Sequence, residues 1–243
     1  MKTLLRCFLS TICIFSVFFA DLALSASNFE TSSELTTLYR AARKVISDNQ
    51  ALINTADVAD KGLSGEAVVQ KTLTNYQAQT GTMLEMSTLT EAQAAMLKAV
   101  REVMDENQAL INEQGVGFKG FLPAVFARHV ATSFSEKMDG QMTIKLTAPK
   151  AYVRNRSNRP DKWEANIIES MFKASSYEKG KPFAEEQQVK GKAAYRFILP
   201  EYYGASCLGC HGEPKGTKDI TGGKREGGKL NELGGAISLT IFK

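Results

Sequence analysis

A pair of cysteines separated by two residues, followed at once by a histidine, constrains this chain more than any other feature. Residues 207–211 read Cys-Leu-Gly-Cys-His, which is the pattern of covalent c-type haem attachment. Each cysteine sulfur adds to one vinyl group of the haem, and the adjacent His211 supplies a proximal imidazole to the iron. The motif therefore predicts one haem c, attached covalently through Cys207 and Cys210.

Three other interpretations of the two cysteines are weaker. A thioredoxin-like Cys-x-x-Cys needs a strand before it and a long helix after it, whereas prolines and glycines flank this motif on both sides. A zinc site needs four ligands, and after residue 26 the only other cysteine or histidine is His129. A disulfide between Cys207 and Cys210 would stabilise little, because the loop that it closes is very short.

The first 26 residues read as a secretory signal peptide. Lys2 and Arg6 precede an almost wholly apolar run, and small residues up to Ala26 provide a cleavage site. Asp21 interrupts the apolar run before the roughly 20 residues that a membrane-spanning helix needs. Cleavage is therefore favoured over an uncleaved membrane anchor. Export agrees with the motif, because bacteria attach haem covalently outside the cytoplasm.

Cleavage would leave Cys207 and Cys210 as the only cysteines, since Cys7 and Cys13 lie in the signal peptide. Haem attachment would use both, so we expect no structural disulfide in spite of the oxidising compartment. The formal net charge of +4 would fall to +3, because the segment removed carries two basic residues and one acidic residue. So small a charge, together with export, argues against nucleic-acid binding. We expect a periplasmic protein with no membrane span in the mature chain.

The order of the predicted elements indicates an α+β protein. Five segments have helical periodicity and four have the composition or alternation of strands. The predicted helices are 31–54, 65–79, 88–112, 118–136 and 160–172, and the predicted strands are 142–147, 183–189, 192–199 and 236–242. Capping-box spacing marks two helix starts, at Thr31–Glu34 and Thr88–Glu91. The order predicts a small antiparallel sheet with helices on one side, the motif as a short helical turn, and 212–232 as a surface loop.

The hexapeptide Asn-Gln-Ala-Leu-Ile-Asn occurs twice, at 49–54 and at 107–112. The same offset aligns Lys61 with Lys119, and each lysine precedes a glycine. Two copies are too few for a solenoid, so we predict a duplicated helical hairpin whose copies pack together. It would form a helical extension over 27–116, followed by a haem domain over 117–243.

Five segments of the sequence carry a resemblance to a known family. They are Phe118–Arg128, Arg154–Glu164, Leu199–Tyr203, Asp219–Gly222 and Gly234–Ser238. The chain resembles a family of haem-binding, PAS-like periplasmic sensor domains, over nearly all of the mature chain and most specifically from Lys119 onward. The resemblance implies a PAS-like antiparallel sheet with the haem packed against it. In relatives, such a domain often precedes a membrane span and a signalling module.

The second axial position of the iron has three candidate occupants. The first is His129, on a helix that the resemblance places near the haem; the alternative is an ordinary helix histidine, because the repeat puts Lys71 at the matching position. The second is a methionine, with Met104 ahead of Met138 and Met142, although a methionine more often fills a core. The third is an open or water-filled position.

Two further polar segments have alternative interpretations. Arg154, Arg156 and Arg159 lie in a turn, where they could hold the haem propionates through charge-assisted hydrogen bonds or simply be solvated. Residues 223–229 resemble a phosphate-binding loop, but Leu230 stands where Ser or Thr is required. We therefore interpret them as a flexible basic loop.

Two functions are compatible with these features. The first is a monohaem sensor, in which the iron's oxidation state or a bound diatomic gas shifts the haem turn and a periplasmic signalling or redox protein detects the change. The alternative is a periplasmic electron-transfer carrier. The long helical extension favours sensing. An enzyme such as a peroxidase is not predicted, because the sequence offers no distal acid–base set beyond His129.

Overall fold

The computed structural model describes residues 26–243, so the predicted signal peptide, except for its last residue, lies outside the described residues. The predicted α+β class is confirmed: helices pack on a four-stranded antiparallel sheet of order β1-β4-β3-β2. The strands are β1 Met142–Thr147, β2 Phe183–Val189, β3 Lys192–Tyr202 and β4 Leu233–Phe242. The helices are α1 over 26–48, α2 Gln50–Ile53, α3 Gly65–Thr80, α4 Glu91–Glu106, α5 Gln108–Ile111, α6 Pro123–Lys137, α7 Lys162–Asn166 continued by a π-helix over Ile167–Phe172, and α8 Leu208–His211.

The end of β3 positions the cysteine motif. β3 pairs with β2 on one side and with β4 on the other, both antiparallel. Its pairing with β4 shifts register between Glu201 and Tyr202. Such an irregularity interrupts the regular hydrogen bonding between paired strands and changes the direction of the chain that follows. The chain leaves the sheet here and enters the motif five residues later.

Three predicted helix starts need correction. The helix predicted over 118–136 begins only at Pro123, because proline suits the first turn of a helix. Thr31–Glu34 is not a capping box, because α1 is already helical at residue 26. Glu34 instead accepts a hydrogen bond of 2.9 Å from Nε2 of Gln93 on another helix. The box predicted at Thr88–Glu91 lies two residues further on, where Thr90 and Gln93 cap α4 reciprocally.

The two copies of the repeat contact each other through equivalent hydrogen bonds. The backbone N–H of Lys61 donates to Oδ1 of Asn112 at 3.1 Å, and that of Lys119 donates to Oδ1 of Asn54 at 3.3 Å. Both lysine side chains are buried, and each ammonium group donates to carbonyl oxygens of its own loop. The two loops therefore hold each other in place at one end of the helices.

The largest hydrophobic core joins the helices to the sheet. It contains Tyr39 of α1, Met104 of α4 and Phe126 of α6, together with Phe197 and Leu239 of the central strands. This core contains residues from both sides of residue 116. The predicted division at that residue into a helical extension and a haem domain stays a prediction. None of the helices within residues 26–243 is long and apolar enough to span a membrane.

A smaller cluster lies on the opposite face of the sheet. Ile168 and Phe172 of the π-helix pack there with Ile198 of β3 and Ala236 of β4. The expectation that helices cover one side only is therefore wrong. The apolar side chains of β3 alternate between the two faces, so both faces need cover.

Candidate functional site

The Cys-x-x-Cys-His motif forms a compact helical turn, as predicted. Ala205–Cys207 is a 3₁₀ turn, and α8 follows directly. Cys207 and Cys210 are half-buried free thiols. Burial and the nearby Asp219 carboxylate raise the pKa of the Cys210 thiol.

The imidazole of His211 is held on two sides. Its Nδ1 lies 2.8 Å from Oε2 of Glu226, and its ring stacks on Tyr203 with centroids 5.4 Å apart and planes 22° apart. Because a carboxylate only accepts hydrogen bonds, Nδ1 is the nitrogen that donates in this pair, and Nε2 is the nitrogen left for another partner. Histidines that ligate metals are oriented in this way.

Arg154 ties the turn to the loop that follows it. Its Nε donates to Oε1 of Glu226 at 2.7 Å, and its Nη2 donates to the carbonyl oxygen of Cys210 at 2.6 Å. Its Nη1 donates to the carboxylate of Asp219. One guanidinium thus joins the cysteine motif to both acids of the 219–226 segment.

Both carboxylates of this network are buried. The exposed fraction of the side chain is 0% for Asp219 and 8% for Glu226. Burial by itself would raise the pKa of Asp219, but hydrogen bonds from Thr221 and Arg154 outweigh it and set the pKa at about 2. Burial also acts to raise the pKa of Glu226, but the bonds from Arg154 and His211 bring it below its ordinary value. Both groups are therefore anionic at neutral pH, and the loop is held by charge.

Two glycines let the loop close around Tyr203. A Cβ atom at Gly234 would lie only 2.5 Å from Cε1 of the Tyr203 ring, and one at Gly228 would lie 2.7 Å from Cδ2. The N–H of Gly228 donates to the carbonyl oxygen of His211 at 2.8 Å. A side chain at either position would displace the ring that stacks on His211.

Helix α1 also contacts the turn. Nε of Arg40 donates to Oε1 of Glu201 at 2.5 Å, and Arg43 pairs with the other oxygen of the same carboxylate. The hydroxyl group of Ser47 donates to that of Ser206 at 2.8 Å. The end of β3 and the start of the turn are therefore both fastened to α1.

The candidate distal ligands lie elsewhere in the described structure. His129 is on an exposed side of α6, and none of the hydrogen bonds or ring contacts that residues 207–211 make within 26–243 comes from α6. Met104 and Met138 are buried in the main core, and Met142 is half-buried at the start of β1. The identity of the distal ligand stays a prediction.

The three arginines suggested for the propionates differ. Arg154 is engaged by protein acceptors, as described. Arg156 and Arg159 are exposed, and in residues 26–243 neither side chain forms an ion pair. Oδ1 of Asn155 accepts a hydrogen bond of 3.0 Å from the N–H of Ser157, which closes the predicted turn. A role for any of the three with propionates stays a prediction.

Sequence reasoning does not find Glu226 or the contact between Tyr203 and His211. Glu226 lies in a Gly- and Lys-rich segment that reads as flexible. One local signal marks the segment as ordered: Asp219 is followed two residues later by Thr221, and its Oδ1 accepts hydrogen bonds from the N–H and hydroxyl groups of that threonine. Such turns are typical of Asp followed by small polar residues.

The structure is thus an α+β fold. Its Cys-x-x-Cys-His segment follows β3, one of the two central strands of the antiparallel sheet. The chain belongs to the Tll0287-like family, whose model matches residues 76–241. That family is known for haem-binding, sensor-type domains. The match takes in the motif, all four strands and the second copy of the repeat. Searches of curated proteins and of solved structures find no match.

Proposed function

We propose that this chain is an exported monohaem c-type protein that acts as a redox or small-ligand sensor. One observation carries the proposal: the bond between Nδ1 of His211 and Glu226 leaves Nε2 available to an iron, directly after two cysteines with haem-attachment spacing. Two thiols and one imidazole oriented by a carboxylate fit a covalent haem. When bound, the haem supplies a one-electron Fe(III)/Fe(II) couple and an axial position.

In this proposal each residue has a separate task. Cys207 and Cys210 hold the haem covalently, and His211 is its proximal ligand. Glu226 fixes the imidazole and increases its electron donation, as carboxylates do behind metal-bound histidines. Arg154 holds Glu226 in place from the other side.

The contacts of α1 support sensing over simple electron transport. Glu201 and Ser206 flank the residues that lead from β3 into the turn, and both are bonded to α1. A change in the turn would therefore alter contacts of a helix that also contributes to the main core. A conformational switch requires a structural element with two arrangements whose balance depends on the state of the site. Helix α1 is the element that the turn contacts. A periplasmic partner would detect the change.

Electron transfer is the second candidate function. It is supported by the exposure of the turn: Cys207 and Cys210, which would carry the haem, are both only partly buried. A group attached to Cys207 and Cys210 would therefore lie close to solvent and within reach of another protein.

Visible spectra of the mature protein test the proposal and the distal ligand together. The protein is made in a host that attaches haem, and spectra are taken oxidised, reduced, and reduced under carbon monoxide. Wild type is compared with His129→Ala, and with Thr132→Ala as the control on the same exposed side of α6. Failure to attach haem in competent cells would refute the proposal.

The carbon monoxide results separate the functions. If reduced wild type does not bind carbon monoxide and only His129→Ala binds it, His129 is the distal ligand. Redox sensing or electron transfer is then favoured over gas sensing. If wild type and both variants bind carbon monoxide alike, His129 is an ordinary helix histidine and gas sensing is favoured.

A further inference from the structure

We propose that the loop over 213–230 is a docking surface for an acidic redox protein that exchanges one electron with the haem. The inference rests on the function proposed above and adds the chemistry of the partner. The loop follows the motif directly and contains five basic and three acidic residues. The separation of these charges between the inside and the outside of the loop carries the argument.

Two of the three acids of this loop point inward, and its lysines point outward. The side chains of Asp219 and Glu226 are buried, and Arg154 pairs with both. The loop lysines are exposed, and none forms an ion pair with any residue of 26–243; they are Lys215, Lys218, Lys224 and Lys229. A loop that only needed solubility would leave charges of both signs outside. Here the outer surface is cationic, with Glu213 as its one exposed acid.

The cationic surface is fixed against the haem-attachment turn. Gly228 bonds to the carbonyl oxygen of His211, and Arg154 bonds to that of Cys210. Lys218 and Lys224 are partners in an antiparallel β-bridge, so the backbone holds two like charges opposite each other. Such a pair is unfavourable in the isolated protein, and an anionic partner would relieve the repulsion.

Two large apolar side chains lie on the same loop. Ile220 is 58% exposed and Leu230 is 56% exposed. Apolar contacts combined with a charged, solvent-accessible rim are typical of protein–protein interfaces. These residues therefore favour a protein partner with surface carboxylates over a small anion.

The exchange itself needs no proton transfer and no covalent change. When bound, the haem would supply the Fe(III)/Fe(II) couple that takes up or releases the partner's one electron, and the loop lysines would position the partner beside it. The surface acts by steering: opposite charges near the point of contact raise association rates about 10- to 1000-fold, and the effect falls with ionic strength.

The test uses the full mature protein with haem attached and measures its reduction by stopped flow. The probe is fully reduced flavodoxin, an acidic one-electron donor, and the methyl viologen radical cation is the oppositely charged control donor. The loop variant is the double substitution Lys218→Gln and Lys224→Gln. The matched control is Lys190→Gln with Lys192→Gln, which removes the same charge where the β2–β3 turn enters β3, at the end of that strand away from the motif.

The loop variant should react with flavodoxin about three- to tenfold more slowly than wild type at low ionic strength. The matched control should react as wild type does. The difference should disappear at about 0.5 M salt, where screening acts over a few ångströms. Reaction with methyl viologen should not slow in either variant.

Equal flavodoxin rates for the two double variants would overturn the docking proposal and leave the haem function standing. The same variants are also tested for co-sedimentation with vesicles that contain anionic phospholipid. If the loop variant loses vesicle binding while its flavodoxin rate is unchanged, the docking proposal is overturned, because the surface would then face a membrane. A protein without haem fails before this test, and that result refutes the proposed function instead.

Discussion

Replacing Arg154 with alanine should destabilise the haem-attachment turn and the loop that follows it. The substitution leaves the carboxylates of Asp219 and Glu226 buried without their shared cation. Breaking a buried ion pair by removing one partner costs about 3–5 kcal/mol. Because 28% of the Arg154 side chain is exposed, water can solvate part of the site, so we expect a loss of about 2–4 kcal/mol in the free energy of unfolding.

Urea unfolding followed by circular dichroism measures this loss. Arg156→Ala is the matched control, since Arg156 lies on the same turn, is exposed and forms no ion pair within residues 26–243. We expect that control to change stability by less than about 0.5 kcal/mol. Arg154→Lys should fall between the two, because lysine keeps the charge but loses the forked geometry. If Arg154→Ala costs no more than Arg156→Ala, the network does not hold the loop and the reasoning is wrong.

Three further predictions follow from the same structure. Glu226→Gln should raise the reduction potential of the haem by about 40–80 mV, the equivalent of about 1–2 kcal/mol, because His211 loses the carboxylate that helps it to stabilise Fe(III). The exposed control, Glu213→Gln, should leave the potential unchanged. A redox titration of both variants at one pH measures the difference. The pKa of Asp219 is about 2 in the folded protein against an ordinary 3.8. Its ionised carboxylate therefore stabilises the folded state above about pH 4, and this stabilisation is lost as the pH falls toward 2. Asp219→Asn should flatten the plot of urea midpoint against pH over that range. Lys61→Met and Lys119→Met should each lower the urea midpoint, because each leaves loop carbonyl oxygens without a donor. A midpoint unchanged in both would contradict this role of the lysines, and a midpoint lowered in only one would contradict the equivalence of the repeats.

Local patterns predict most of the elements because their causes are local. Alternating side chains give β1, and Gly191, with a φ of 81°, permits the tight turn between β2 and β3. The sequence does not predict where α1 begins, because a tertiary contact stabilises its first turns. The helix extends ahead of Thr31, where Phe29 packs edge-on against Phe197 of the sheet at 5.4 Å, and no sequence pattern shows that contact.

The candidate site is predictable only in part. Its chemistry follows from five consecutive residues, so Cys207, Cys210 and His211 can be named from sequence alone. Glu226 cannot, because its contacts join it to His211, 15 residues away, and to Arg154, 72 residues away. Its carboxylate is also hidden within a segment whose composition reads as solvated.

The mass of the exported protein tests the central claim most directly. Wild type and the variant with serine at both Cys207 and Cys210 are expressed with haem-attachment machinery and analysed by intact-mass spectrometry under denaturing conditions. Wild type should carry the added mass of one haem, and the double variant should carry none although it is exported. Wild type without that mass, in cells that attach haem to a control cytochrome c, would contradict covalent haem attachment.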